Sequence, residues 1–194
     1  VLMGNVTVWK PATTAVLSNY YLMKILQEAG VPDGVINFVP GDGSVISDVC
    51  FSSKDLAGVH FTGSTRTGQR ILNNSVDSLK SVVLELGGND VGLVLEDADL
   101  DVVAERIFGS AFLNAGQTCA ALKRLYVHES VYDQLTEKLV NIANAQVVGA
   151  GLNPETTFGP IQNKAQYEKV KGLITDAVAK GGQIITAQQN VPEK

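Results

Sequence analysis

Histidine and cysteine are nearly absent from this chain, which holds two of each in 194 residues. Cys50 and Cys119 stand far apart with no C-x-x-C spacing, and His60 and His128 sit singly in apolar, strand-like runs. Such scarcity argues against a zinc site and a disulfide framework and suits a reducing compartment, so no metal is expected and the expected location is cytoplasmic. Runs of like charge are missing too. The 15 basic and 20 acidic residues are dispersed, for a net charge of -5, which leaves no electrostatic footprint for nucleic acid or for an acidic membrane surface. No apolar run approaches the ~18 residues of a membrane-spanning helix, and no secretory leader is recognisable. Internal repeats and low-complexity tracts do not occur. What is left, 45% hydrophobic and 18% charged residues spread evenly, is the composition of a globular protein. The chain opens at Val1 and runs almost at once into a strand-like stretch, so it is expected to be a piece of a longer protein.

What is present alternates. Asn5 to Lys10 is a short β-rich run stopped by Pro11, which lacks a backbone donor and biases Lys10 away from helix. From Thr14 to Glu28 the apolar positions Leu17, Tyr21 and Ile25 fall four apart, and Gly30 with Pro32 closes the pattern, which predicts an amphipathic helix. A strand over Val35 to Val39, a short helix over Val45 to Phe51, a strand over Gly58 to Phe61, a helix carrying Ile71 and Leu72, and a strand over Ser81 to Leu86 follow. Strands that are apolar without strict period two, joined through helices, predict an α/β fold on a parallel sheet with right-handed crossovers. A shift in composition at Gly87-Gly88 suggests a boundary between domains 1–86 and 87–194. Beyond it Val91 to Leu95 reads as a strand. Asp97, Asp99 and Asp101 load acid onto the start of a helix reaching about Phe112, as its dipole favours. Arg124 to His128 reads as a strand. Ser130 with Asp133, and Asn163 with Gln166, predict capping boxes for two more helices, the second ending near Gly181, and Gln183 to Thr186 is a predicted last strand.

The candidate nucleophile is Cys119, delivered from the polar turn Asn114-Ala115-Gly116-Gln117-Thr118 between a helical and a strand-like run, where Gly116 permits a sharp bend. A buried, space-filling thiol is the alternative for a single cysteine. Glu85 sits in an apolar strand just before two glycines, and a partly buried position there would suit a general base, whereas a solvent-facing strand residue is the plain alternative. Two turns are candidates for phosphate. Gly41-Asp42-Gly43 resembles the start of a G-x-G turn but lacks a third glycine in place, so an ordinary turn is favoured. Gly63-Ser64-Thr65 follows a strand and opens a helix, where free N–H groups and the positive dipole end face an anion.

Trp9-Lys10-Pro11-Ala12, Phe61-Thr62-Gly63-Ser64, Leu84-Glu85-Leu86-Gly87-Gly88 and Phe112-x-Asn114-x-Gly116-Gln117-x-Cys119, in that order, closely resemble the landmarks of the aldehyde dehydrogenase superfamily. Phe158-Gly159-Pro160-Ile161 extends the likeness, so that the chain resembles the middle of such an enzyme: part of a Rossmann-like NAD(P)-binding domain followed by the first part of the catalytic domain. The resemblance implies an aldehyde as substrate, NAD or NADP as cofactor and a homo-oligomeric parent. It implies Cys119 as the residue that forms a thiohemiacetal and then a thioester, with its backbone N–H as half of an oxyanion hole. The other half, an asparagine side chain upstream of the first motif in the family, is not in this chain. Glu85 matches the water-activating base, Lys10 the lysine on the adenosine ribose, and Gly63 and Ser64 the pyrophosphate turn. Thr13 stands where many NAD-preferring members place a ribose-binding glutamate, which leaves room for a 2′-phosphate and implies tolerance of NADP. Asn89 replaces the lysine common after the two glycines. Residues 1–63 are most similar to the branch that oxidises L-glutamate γ-semialdehyde, while Leu84 to Lys194 resemble general aldehyde dehydrogenases; the cysteine loop of that branch usually continues with serine, where this chain has Ala120. The presence of Glu85 counts against a CoA-acylating relative. A non-catalytic dinucleotide-binding or structural module is the reading from another class.

Overall fold

Every strand in the computed structural model, which describes residues 1–185, pairs in parallel with a strand one helix away in sequence. The chain divides into two compact units, Val1–Leu86 and Gly87–Lys194.

In the first unit β1 (Thr7–Trp9) lies beside β2 (Ile36–Phe38), Thr7 opposite Ile36 and Trp9 opposite Phe38. The rings of Trp9 and Phe38 meet edge to face, 5.4 Å between centroids, a geometry worth about 1 kcal/mol beyond the area covered. The crossover between them is α1 (Val16–Glu28). It stops where Gly30 turns left-handed, φ +90°, and Val31 N–H donates back to Leu26 O, the backbone conformation glycine adopts without steric cost. α2 (Gly43–Ser52) leads to β3 (Gly58–Thr62), and α3 (Thr65–Val76) connects β3 to its partner β4 (Ser81–Glu85). Lys80 Nζ donates to Ser53 O at 2.9 Å and Leu56 O at 3.1 Å, tying the start of β4 to the loop before β3.

In the second unit β5 (Asp90–Val94) pairs with β6 (Leu122–Val127), with α4 (Leu100–Phe112) as the crossover. The predicted acid at the start of α4 is used: Asp99 caps it, accepting from Asp101 N and Val102 N. α5 (Tyr132–Asn144) and α6 (Lys164–Ala179) follow. Val94, Leu100, Ala104 and Leu135 form the core, with Ile107, Leu125, Val127 and Leu139 packed against them. Leu135 is 1% exposed; truncating such a leucine to alanine costs about 2–5 kcal/mol. Lys138 of α5 reaches the carboxylate of Asp101 on α4.

Three local expectations need correction. The predicted capping box at Ser130 is not formed: His128 Nδ1 accepts from Ser130 N–H at 3.3 Å and contacts Ser130 Oγ at 2.8 Å, so a 3-10 turn over Glu129–Val131 comes before α5. Asn163 does cap α6, accepting from Gln166 N–H at 2.9 Å. The predicted last strand is not seen at residues 183–185, and Thr186 lies outside the described residues. Finally, the α/β class with parallel strands is found as expected, but among the described residues the four strands of the first unit form two separate two-stranded ladders and not one sheet. Alternate residues of β5 point into the core, while Val91, Leu93 and the following Leu95 are 56%, 71% and 65% exposed, so one face of that ladder is uncovered. Among the described residues no helix is long and apolar enough to cross a membrane, and no group of three metal-ligating side chains gathers.

Candidate active site

Parallel pairing carries the turns after neighbouring strands to the same end of a ladder, where open α/β sheets hold ligands. Beyond β1 the chain runs through Lys10 and buried Pro11 into a 3-10 turn at Thr13–Ala15; beyond β2, Val39 N–H donates to Trp9 O and brings Pro40-Gly41-Asp42 alongside. Pro11, Thr13, Val16, Pro40, Gly41 and Asp42 line a cavity of about 400 Å3. Lys10 Nζ donates to Pro11 O at 2.6 Å, and a Cβ on Gly43 would come within 3.3 Å of Lys10 Cε. Asp42 caps α2 through Ser44 N–H at 2.8 Å and Val45 N–H at 3.3 Å. The Ser44 hydroxyl, those two N–H groups and more distantly Lys10 hold its carboxyl below the ordinary value, so the group is ionised at neutral pH. The setting beside Thr13 therefore includes a carboxylate as well as the nearby Lys10 ammonium. Thr13 itself is exposed and caps neither helix start: the flanking Ala12 and Ala15 occupy those positions with no side-chain hydrogen bond.

β3 and β4 bring the next two motifs together. Thr62 pairs with Glu85, and Gly63 N–H donates to Glu85 O at 3.0 Å. The Gly63 N–H is thus occupied, contrary to the expectation of a free donor for an anion. Ser64 caps α3, its Oγ accepting from Thr67 N–H at 3.3 Å and lying 3.0 Å from Thr67 Oγ1. A Cβ at Gly63 would fall 2.5 Å from Phe61 Cζ, so the turn is as tight as its sequence suggests. Glu85 ends β4 with an exposed side chain and not a partly buried one: strand alternation turns Val82 and Leu84 inward and Glu85 out.

Cys119 is exposed, on the loop between α4 and β6. The approach to it is conformationally unusual. Asn114, Ala115 and Gly116 are successively left-handed, with φ of +54°, +56° and +77°. Only glycine takes that region freely, and an alanine there costs about 1–2 kcal/mol. Gln117 holds the turn: its Nε2 donates to Asn114 O at 3.0 Å and Pro160 O at 3.5 Å, and its Oε1 accepts from Gln162 N–H at 2.8 Å. Thr118 Oγ1 donates to Leu113 O at 3.2 Å. Phe158 packs against Phe108 and Phe112 of α4, 5.9 and 6.0 Å between centroids. The Phe158–Ile161 stretch is thereby brought to the cysteine loop.

Lys123 was not foreseen. Its Nζ donates to Thr118 O at 3.1 Å, Cys119 O at 2.8 Å and Ala121 O at 2.8 Å. No single-residue signal marks it; only the register of β6 against β5, with Leu122 opposite Asp90 and Arg124 opposite Val91, exposes Lys123 as an inserted residue.

Known proteins match this chain along its whole length. Residues 1–194 match the family described as the aldehyde dehydrogenase family. The chain is 39% identical over 193 residues to the mitochondrial aldehyde dehydrogenase of Leishmania tarentolae, covering 99% of this chain and 39% of the relative. It is 44% identical over 180 residues to 1-pyrroline-5-carboxylate dehydrogenase of Staphylococcus haemolyticus, covering 90% of this chain and 35% of that protein. The solved NAD+ complex of aldehyde dehydrogenase from Bacillus cereus superposes with a TM-score of 0.91 at 39% identity, over 97% of this chain and 38% of that one. The chain thus spans well under half the length of the relatives it matches.

Proposed function

This chain belongs to the aldehyde dehydrogenase family, and on that premise we propose that the complete protein oxidises an aldehyde to its carboxylic acid through a covalent intermediate on Cys119. The observation that carries this reading is the exposed cysteine at the end of a strained left-handed turn, clamped by Gln117 and Lys123; strain of this kind persists where the surroundings enforce it and concentrates at functional sites.

The coenzyme is held by the first unit. An open cavity of about 400 Å3 lined in part by Thr13 and Asp42, with Lys10 adjacent, fits a polyhydroxylated ligand such as an adenosine ribose, and Gly63 and Ser64 stand at the turn that would face the pyrophosphate. NAD or NADP bound there would supply the two-electron acceptor. Cys119 Sγ, as thiolate, adds to the aldehyde carbon to give a thiohemiacetal, and after oxidation it carries the acyl group as a thioester. Glu85 takes a proton from water, whose oxygen attacks the thioester carbonyl; the C–S bond breaks, and the acid and the thiolate separate. The Cys119 N–H stabilises the negative oxygen formed in both additions.

Similarity to 1-pyrroline-5-carboxylate dehydrogenases favours L-glutamate γ-semialdehyde as a second, finer reading of the substrate. Steady-state coenzyme reduction by the complete protein, over a panel of aldehydes that includes this one and with NAD and NADP separately, tests both readings. Turnover should require Cys119; a Cys119→Ala variant that still oxidises aldehydes would sink the proposal.

A further inference from the structure

Among the described residues Lys123 is the one side chain that grips the peptide groups on both sides of Cys119, and we infer that it is a positioning residue that aims the Cys119 N–H at the oxygen of the bound aldehyde. The inference rests on the proposed role of Cys119 and specifies how its donor is held. A peptide unit is planar and trans, and no cis bond occurs among the described residues. Thr118 O and the Cys119 N–H belong to one such unit and point in opposite directions. An ammonium 3.1 Å from Thr118 O therefore fixes where that N–H points. The second bond, 2.8 Å to Cys119 O, fixes the following peptide, and the third, 2.8 Å to Ala121 O, anchors the ammonium to the root of β6. Among the described residues the Cys119 N–H itself donates to no protein group.

The strand is built to place this lysine. Between Leu122 and Arg124 the register of β6 slips by one residue against β5. A bulge of this type leaves one residue unpaired and re-aims its side chain. In regular pairing, Lys123 would alternate with its neighbours along the ladder; as the inserted residue it folds back over residues 118–121. Charge adds to aim. A carbonyl that accepts from a cation polarises its own peptide, so the N–H on the other side becomes a stronger donor. When Sγ attacks the aldehyde carbon, a C–S bond forms and the carbonyl π pair moves onto oxygen; the negative charge that appears there is what the Cys119 N–H meets. Lys123 itself does not touch the substrate.

The test uses the complete protein with Lys123→Met and Lys123→Arg variants. Three quantities are followed: the pre-steady-state burst of reduced coenzyme, the rate of Cys119 alkylation by iodoacetamide, and thermal stability. Alkylation needs the thiolate but builds no oxyanion, so it separates aim from reactivity. For Lys123→Met the burst rate should fall about tenfold to a hundredfold, part of the loss that follows removal of a whole oxyanion donor, while alkylation stays within about threefold and the protein remains folded. Lys123→Arg, which can still donate to the carbonyls, should recover most of the burst. An unchanged burst in Lys123→Met overturns the inference, and so does a parallel fall in burst and alkylation. Cys119→Ala serves as the reference: if it keeps its burst, the underlying reading of Cys119 fails, whereas a silent Cys119→Ala beside a normal Lys123→Met overturns the lysine's role alone.

Discussion

A Cβ placed on Gly88 would lie 2.7 Å from the carbonyl oxygen of Cys119, so the second glycine after Glu85 and Leu86 is the surface on which the cysteine loop rests. The same carbonyl receives the Lys123 ammonium. Backbone cannot retreat as a flexible side chain can, so Gly88→Ala should displace the loop. We expect overpacking to cost about 1–3 kcal/mol and kcat to fall on the order of a hundredfold, as for a 1 Å misplacement of reacting groups. Thermal melts together with burst kinetics check this; a kcat within twofold of the parent would show that the loop tolerates the methyl group.

Glu85→Gln in the complete protein should keep acylation and slow deacylation, because the substitution removes the proton acceptor and leaves the nucleophile in place. One equivalent of reduced coenzyme should appear rapidly, followed by a steady-state rate at least a hundredfold lower, within the range for loss of a general base. Loss of the burst along with turnover would instead assign Glu85 to a step before acyl transfer.

Ala115 tests the strain in the turn. At φ +56° a β-branched side chain is a severe outlier, so Ala115→Val should lower stability by about 2 kcal/mol and reduce kcat. Ala115→Gly relieves the Cβ contact but frees the unfolded chain, two effects of about 1 kcal/mol that offset each other. Urea unfolding should therefore find the valine variant well below the parent and the glycine variant close to it; a valine variant as stable as the parent would mean that the turn carries no strain at this position.

Coenzyme choice should follow the charge around the cavity that Thr13 and Asp42 share. Thr13→Glu adds a carboxylate and should depress kcat/KM for NADP at least tenfold more than for NAD. Asp42→Asn removes one and should raise the NADP to NAD ratio about threefold to tenfold, with a larger effect at low ionic strength, where screening is weakest. Equal effects on the two coenzymes would place the 2′ position elsewhere.

Asp42 also predicts a pH dependence. Ser44 and Val45 hold its carboxyl below the ordinary value of 3.8, so its capping contribution is complete above that pH and is lost as pH falls through the lowered folded-state value. The stability gap between the parent and Asp42→Ala should be constant near neutrality and close on acidification. Parallel melting curves from pH 7 to pH 2 check the sign.

Much of this was legible in the residues. Pro11, Gly30 and Asn163 end or begin elements where steric and capping rules place them, and the cysteine stands exposed on the polar turn between a helix and a strand that its neighbours suggest. Properties that arise only when strands meet were not legible. The cavity beside Thr13 depends on Val39 N–H reaching Trp9 O, so Gly41-Asp42-Gly43 read as an ordinary turn. The role of Lys123 depends on a one-residue slip between strands about thirty positions apart. The exposure of Glu85 follows from strand alternation, which an apolar run of one strand conceals. Ser130 met a capping pattern, yet the histidine two residues earlier reached its N–H first.

The three ladders also bear on how the chain is synthesised. Each pair joins strands connected through one crossover α-helix, so a ladder needs only its own strand-helix-strand unit and not the rest of the chain. On a ribosome, β1 and β2 can pair once α1 and β2 have emerged, and β5 and β6 can do so before the remainder of a longer polypeptide exists. The uncovered Val91, Leu93 and Leu95 leave an apolar face on a ladder that can form before synthesis is complete. Exposed apolar surface on a partly made chain favours aggregation, so slowing elongation just after this segment should lower the yield of soluble protein.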